Sequence, residues 1–264
     1  MRFGSLFSGI GGGDLGLERA GMACAWQCEN DKYAIQILER HWPGKLRFGD
    51  VRNKGIFEIP PVDVIVGGDP CPTRSLAKGN RRSMHSDLAG YFLAVVGRHV
   101  PWWVVRENVR SPDVADFQVG LEILGYDTVV VELDSRDFTA QSRRRQYVIG
   151  GLESSRDDLR RVFFDAADGF GFSPSGPQEE TPIAACITAH PARLAAEDSY
   201  VYEDGRGLRV LSSEEAERLQ GFPAGWTAGL SRSRRRILLG NAMTVPVIEW
   251  IGKMILEWLK ERTP

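Results

Sequence analysis

Short apolar runs alternate with segments of helical periodicity through the first 150 residues of this chain. Strands are predicted at residues 2–7, 22–29, 46–48, 62–66, 102–106, 127–133 and 146–150. Helices are predicted between them, at residues 14–20, 31–41, 87–99 and 114–124. Strands that alternate with helices favour a parallel, doubly wound sheet, and right-handed crossovers bring the carboxyl ends of its strands to one edge. The predicted fold class is therefore α/β.

The composition changes after Gly151, and residues 165–182 are rich in Gly, Pro, Ser and Asp, which predicts an irregular segment. Two further helices are predicted at residues 213–220 and 245–260. We expect a large lobe of residues 1–150 completed by residues 238–264, and a small lobe of residues 151–237. A cleft is expected between the two lobes.

Composition places the chain among ordinary globular proteins, since 42% of its 264 residues are hydrophobic and 26% are charged. No apolar run approaches the roughly 20 residues that cross a bilayer. The four cysteines, Cys24, Cys28, Cys71 and Cys186, show neither a disulfide framework nor the paired spacing of a zinc site. We therefore expect no metal and a reducing, cytoplasmic location. The sequence leaves the oligomeric state open, with a monomer as the default.

The net charge is −2, but the basic residues are clustered. The three clusters are Arg74, Lys78, Arg81 and Arg82; Arg143, Arg144 and Arg145; and Arg232, Arg234, Arg235 and Arg236. Any one of them alone is typical of a solvated surface. Together they favour a face that binds a phosphate backbone.

A glycine-rich loop, residues 8–13, follows the first predicted strand and precedes the first helix, as in nucleotide-binding folds. The dinucleotide pattern requires a third glycine where this chain has Asp14, which disfavours a nicotinamide cofactor. Glu29 ends the second strand, where a carboxylate can accept the hydroxyl protons of a ribose.

Cys71 follows the apolar run of residues 64–66 and a tight turn, which is a way to present a nucleophile. A carboxylate at Asp69 would disfavour the thiolate unless it is turned away or paired, and Arg74 or another loop cation is the expected partner. Residues 72–86 would then form a basic lid over the substrate.

Eight segments resemble, in order, the motifs of the cytosine-C5 DNA methyltransferase family. They are Phe7-Ser8-Gly9-Ile10-Gly11-Gly12, Glu29 to Ala34, Gly49-Asp50-Val51, Pro70-Cys71, Glu107-Asn108-Val109, Gln141 to Arg145, Arg209 to Pro223, and Gly240 to Pro246. The resemblance covers nearly the whole chain and implies a Rossmann-like methyltransferase sheet. Asn30, Pro72 and Arg74 depart from the family pattern.

The resemblance implies S-adenosylmethionine as the cofactor, with Asp50 binding the adenine amino group. The cofactor-binding residues carried over are Phe7, Gly9, Gly11, Gly12, Glu29, Asn30, Asp50, Val51, Pro70, Asn241 and Ala242.

The resemblance also assigns the chemistry. Cys71 adds to C6 of cytosine and makes C5 nucleophilic, and Glu107 faces the Watson–Crick edge and protonates N3. Arg145 reaches O2 and orients Glu107, and Arg143 completes the catalytic set.

The implied partner is double-stranded DNA, from which the cytosine is flipped. The expected nucleic-acid contacts are Arg74, Ser75, Lys78, Arg81, Arg82, Gln141 and Arg209. Because few residues remain for reading base edges in the small lobe, we expect a target of two or three base pairs, as suits restriction–modification or phage self-protection.

Two other readings stay open. An RNA cytosine-C5 methyltransferase of the tRNA type is compatible with the short recognition region, although the Cys-Phe-Thr tripeptide of that branch is absent. A binding protein without turnover, silenced by Asp69 and Pro72, would retain the cofactor and nucleic-acid sites.

Overall fold

The computed structural model describes residues 1–70, 88–165, 183–188, 200–203 and 207–262. Its strands are β1 (Arg2–Leu6), β2 (Ala23–Cys28), β3 (Leu46–Phe48), β4 (Val64–Gly67), β5 (Trp103–Asn108), β6 (Asp127–Asp134), β7 (Arg144–Gly151), β8 (Tyr200–Glu203) and β9 (Gly207–Val210). In this part of the chain, seven of them form one sheet in the order β3-β2-β1-β4-β5-β7-β6, and β8 pairs with β9 in a separate hairpin. The predicted α/β class is confirmed.

The helices of the described residues are α1 (Gly12–Ala20), α2 (Lys32–His41), α3 (Leu88–His99), α4 (Asp113–Ile123), α5 (Arg156–Arg160), α6 (Ser213–Leu219), α7 (Arg232–Asn241) and α8 (Val245–Arg262). Sequence patterning missed α5 and α7. Helix α7 begins with the third basic cluster and buries only Leu238, Leu239 and Gly240 near its end. It therefore lacks the apolar periodicity by which a helix is recognised. None of the described helices is long and apolar enough to cross a bilayer.

Strand β7 corrects the expectation of an all-parallel sheet, because it runs antiparallel to both β5 and β6. Only residues 135–143 connect β6 to β7, and a parallel crossover needs about a dozen residues or more. As a result, the amino end of β7 lies beside the carboxyl end of β5. Tyr147 of β7 is paired with Glu107, so Arg145 reaches the same edge as Glu107.

Buried side chains cover both faces of the sheet. One cluster packs with α1, α2 and α8, and the other packs with α3 and α4. Val64, Ile65 and Val66 of β4 are fully buried, as expected of a central strand covered on both sides. Helices α1 and α8 approach closely at Gly16, where a Cβ atom would lie 2.7 Å from Cβ of Ile248.

Candidate active site

The carboxyl ends of β1, β4 and β5 border a cavity that also contacts the start of α1 and the end of α7. Its lining residues are Ser5, Phe7, Ser8, Gly9, Gly13, Gly68, Glu107, Asn241, Ala242 and Met243. Four residues predicted to bind the cofactor therefore meet Glu107, which was predicted to act on the cytosine. These segments are far apart in sequence, and the doubly wound sheet brings them together.

The loop between β1 and α1 has an unusual backbone. Phe7, Gly9 and Gly11 have φ angles of 52°, 55° and 85°. Glycine adopts the left-handed region at no steric cost, whereas a phenylalanine there is strained. Because the strained residue lines the cavity, the loop shape is consistent with a ligand-binding role rather than a simple turn.

Glu29 lies just past β2 and holds this loop. One carboxylate oxygen accepts a hydrogen bond from the backbone N of Gly9 at 2.7 Å, and the other accepts from Asn30 and Asp31, each at 2.8 Å. Burial raises the pKa of Glu29, although the three backbone donors act in the opposite direction. The carboxylate is thus fixed beside the glycine loop, where a ribose would be held.

Asp50 and Val51 follow β3 on the same side of the sheet. Hydrogen bonds from Arg52, two residues further on, lower the pKa of Asp50. Its Oδ1 accepts from Nε of Arg52 at 2.8 Å, and its Oδ2 makes a short contact with Nη2. Val51 is buried, whereas Asn30 is exposed. An adenine amino group would have to bind the Asp50 carboxylate together with the Arg52 guanidinium, or displace that guanidinium.

Glu107 lies inside β5 rather than beyond its end, since the strand extends to Asn108. Its side chain is 10% exposed, and Nε of Arg145 lies 3.0 Å from its Oε1 as an ion pair. The angles of this pair are not those of a hydrogen bond, so Oε1 is buried without a hydrogen-bond donor among the described residues. At Gly68 a Cβ would lie 3.1 Å from the other carboxylate oxygen, so the missing side chain keeps Glu107 open to the cavity. An unsatisfied buried oxygen of this kind marks a place for a ligand's donor.

Arg143 does not point into the cavity. It is 4% exposed, and its guanidinium donates to the carbonyl oxygens of Ile187, Gly240 and Ala242 at 3.0–3.1 Å. Desolvation lowers the pKa of this guanidinium. The role of Arg143 in the catalytic set stays a prediction, and these contacts give it a structural role as well. Its contacts hold the segment that carries Asn241 against β7.

Asp69 has a partner that the sequence analysis did not identify. Both carboxylate oxygens accept from Arg106 of β5, at 2.5 and 2.8 Å, and Arg106 also donates to Asp113 at 2.8 Å. Burial alone lowers the pKa of Arg106, but the two carboxylates outweigh it and hold that pKa above its usual value. The expected partners, Arg74 or another loop cation, lie outside the described residues, and the partner of Asp69 among the described residues is Arg106.

Several predicted residues lie outside the described part of the chain. They are Cys71, Arg74, Ser75, Lys78, Arg81 and Arg82. Pro70 is the last described residue before them and is exposed. Among the described residues, no group of three or more His, Cys, Asp or Glu side chains is placed to hold a metal ion.

Comparison with known families decides which chemistry this arrangement belongs to. The profile of the C-5 cytosine-specific DNA methylases matches residues 1–185 and 178–257, which together span nearly the whole chain. The chain belongs to the C-5 cytosine-specific DNA methylase family.

Individual members of the methylase family agree with this assignment. The chain is 31% identical to the type II methyltransferase M.NgoBI of Neisseria gonorrhoeae, over 94% of this chain and 91% of that protein. It is 32% identical to the type II methyltransferase M.Bsp6I of Bacillus sp. (strain RFL6), over 97% and 98%. The crystal structure of Dnmt2 from S. pombe superposes with a TM-score of 0.71 over the full length of both chains, at 18% identity. The last comparison confirms the fold.

Two residues predicted to contact DNA have structural positions in this methylase. Gln141 is fully buried, accepts from the backbone N of Ile187 at 2.8 Å and donates to the carbonyl of Leu219 at 3.3 Å. Both ends of its amide are used, so the predicted nucleic-acid contact is corrected. Arg209 donates to both carboxylate oxygens of Glu215 at 2.7 and 2.8 Å, and this pairing lowers the pKa of Glu215 to about 2.

The residue that sequence reasoning overlooked in this methylase is Arg106. A signal was present, because a charged residue directly follows the apolar run of residues 102–105, within the strand β5. A charge in a buried strand requires a partner. Asp69 also ends an apolar run, and the adjacency of β4 and β5 makes the two residues neighbours.

Proposed function

We propose that this chain transfers a methyl group to C5 of a flipped cytosine in double-stranded DNA, with S-adenosylmethionine as the cofactor. The observation that carries the proposal is the cavity shared by the glycine loop, Glu107 and Asn241 at the carboxyl end of β4. The chain continues from that strand directly into Pro70 and Cys71. A cofactor pocket, a carboxylate and a candidate nucleophile thus belong to one edge of the sheet.

The residues around the cavity fit S-adenosylmethionine. Gly9 lines the cavity and lets the backbone approach a ligand, Gly11 makes room for Trp42 behind the loop, and the Glu29 carboxylate is held beside Gly9. Asp50 is the candidate for the adenine amino group, and Asn241 closes the cavity from α7. When bound, this cofactor supplies an electrophilic methyl group. Gly12, Asn30, Val51, Pro70 and Ala242 complete the proposed cofactor set.

The proposed chemistry is covalent. The thiolate of Cys71 adds to C6 of the ring while Glu107 holds the proton for N3, which makes C5 a nucleophile. Once C5 carries the methyl group that the cofactor would supply, loss of the C5 proton to a base, elimination of the thiolate and return of the N3 proton to Glu107 would restore the aromatic ring. Arg145 supports the role of Glu107 as the proton donor to N3, because its guanidinium lies 3.0 Å from Glu107 and fixes the carboxylate at the cavity wall.

We propose that residues 1–150 with 238–264 form the catalytic lobe and that residues 151–237 form the recognition lobe. The packing of α8 on α1 supports including the end of the chain in the first lobe. The names of the relatives M.NgoBI and M.Bsp6I, both type II methyltransferases, favour a role in restriction–modification. The short recognition lobe supports a target of two or three base pairs, and a stringent six-base-pair methylation map would contradict this part.

The first test measures transfer of labelled methyl groups from S-adenosylmethionine to unmodified duplex DNA. We expect C5-methylcytosine with the wild-type chain and none above background with Cys71→Ser. Glu107→Gln should lower the rate by roughly 10²–10⁴-fold, the range of general acid catalysis.

A duplex that contains 5-fluorocytosine should trap the wild-type protein covalently but not the Cys71→Ser protein. No transfer and no trapping, with cofactor binding intact, would favour a silenced binding protein. Transfer to tRNA but not to DNA would instead favour the RNA methyltransferase.

A further inference from the structure

Arg106 is a buried cation at the centre of β5. Its side chain is 0% exposed and is bonded to Asp69 through both Nε and Nη2. Nη2 also donates to Asp113, and the guanidinium lies 4.5 Å from the centre of the Phe117 ring. Every one of these groups packs between the sheet and α4, away from the cavity side of β5.

A buried carboxylate is stable only when its charge is offset, and Asp69 depends on Arg106 for this. The side chain of Asp69 is 0% exposed, whereas that of Asp113 is 22% exposed. Water therefore reaches Asp113 but not Asp69. Removing the guanidinium would leave Asp69 buried without a cation from the described part of the chain.

The ion pair between Asp69 and Arg106 affects the proposed active site because Asp69 lies close to Cys71 in the chain. Asp69 precedes Cys71 by two residues, which extend about 7 Å at most. The carbonyl oxygen of Asp69 also accepts a hydrogen bond from the side chain of Asn108 at 3.3 Å. Since neighbouring residues of a strand point to opposite faces, Arg106 holds the segment before Cys71 from one face while Glu107 borders it from the other.

We propose that Arg106 is a positioning residue for the nucleophile: it fixes the segment that leads into Cys71 and cancels the negative charge of Asp69. The inference rests on the proposed function, in which Cys71 attacks the cytosine. Its test uses the reactivity of the Cys71 thiol, which can be measured without methyl transfer.

The experiment measures the rate at which iodoacetamide alkylates Cys71 in the full chain at pH 8, by mass spectrometry of the Cys71 peptide. Arg106→Met should react about tenfold more slowly than wild type, because the Asp69 carboxylate, two residues from Cys71 in the chain, then lacks its counter-charge and disfavours the thiolate. Asp69→Asn/Arg106→Met should return to within about threefold of wild type, because both charges are then absent. Arg106→Lys keeps the charge but loses the bidentate contact with Asp69, so its rate should lie between those of wild type and Arg106→Met.

A matched control is Arg235→Met. Arg235 likewise bonds two carboxylates, those of Glu214 and Glu217, at 2.7 and 2.8 Å. This change should lower stability without changing the alkylation rate of Cys71. Loss of folding is distinguishable from the proposed effect, since unfolding exposes the thiol and accelerates the reaction.

An Arg106→Met rate within twofold of wild type, or a double variant as slow as Arg106→Met, would overturn the proposal. The proposed function fails separately, if Cys71→Ser retains methyl transfer.

Discussion

Asp14 is a carboxyl group buried beneath the glycine loop. It is 0% exposed, and it accepts hydrogen bonds from Oγ of Ser5 at 3.0 Å and Nε2 of Gln27 at 2.9 Å. Burial raises its pKa to about 6, although the two hydrogen bonds act in the opposite direction. Asp14 stands where a dinucleotide loop has its third glycine. Its hydrogen bonds therefore connect β1 and β2 to the start of α1.

The raised pKa of Asp14 predicts a pH-dependent stability. The folded protein holds this proton up to a pH near 6 and the unfolded chain only to about 3.8, so stability falls as the pH rises through this window. Relative to Asp14→Asn, the wild type should lose about 3 kcal/mol between these limits. Urea unfolding of both proteins at pH 4 and pH 7 measures the difference. An equal pH dependence in the two proteins would contradict it.

At the scale of the elements, α1 and α8 depend on small residues where they touch. A Cβ at Gly16 would lie 2.7 Å from Cβ of Ile248 and 2.8 Å from the carbonyl oxygen of Val245. The carbonyl oxygen of Val245 belongs to the backbone of α8, which cannot move aside as a flexible side chain would. The glycine loop, which is continuous with α1, is thereby held close to the segment that carries Asn241.

Gly16→Ala should therefore destabilise the protein by about 1–3 kcal/mol, as overpacking of a core does. The matched control is Gly90→Ala in α3, because a Cβ at Gly90 meets nothing within 4 Å. That change should stabilise the protein by roughly 0.5–1 kcal/mol, through the higher helix propensity of alanine. Thermal or urea unfolding of the two variants distinguishes the signs. A stabilised Gly16→Ala protein would show that the helices can separate without penalty.

For the whole molecule, DNA binding must come from local charge, since the net charge is −2. Two of the predicted contacts, Gln141 and Arg209, are already used inside the protein. Arg235 of the third basic cluster is likewise paired with Glu214 and Glu217. The basic residues that follow Cys71 are then the principal candidates for phosphate contacts.

The variant Arg74→Ala/Arg81→Ala/Arg82→Ala should bind duplex DNA more weakly and with a smaller salt dependence. Each lost phosphate contact lowers the slope of log K against log salt by about 0.9, so a decrease of up to about 3 is expected. The control is Arg262→Ala in α8, whose guanidinium pairs with Asp158. Titrations from low to moderate salt measure both slopes. An unchanged slope in the triple variant would place the DNA elsewhere.

The sequence by itself determined the seven strands of the main sheet, six of the eight described α-helices, the class of the fold and the family. These follow from local periodicity and from motif spacing, which require no knowledge of distant contacts. The motifs also indicated which segments meet, since the carboxyl ends of parallel strands share one edge.

Only the tertiary structure decided the direction of β7, the partner of Asp69 and the burial of Arg143 and Gln141. Arg143 and Arg145 are two residues apart, yet one donates to buried carbonyl oxygens and the other pairs with Glu107 of the cavity wall. The physical reason is that a charged or polar side chain takes the partner that packing provides. That partner comes from strands and helices remote in sequence.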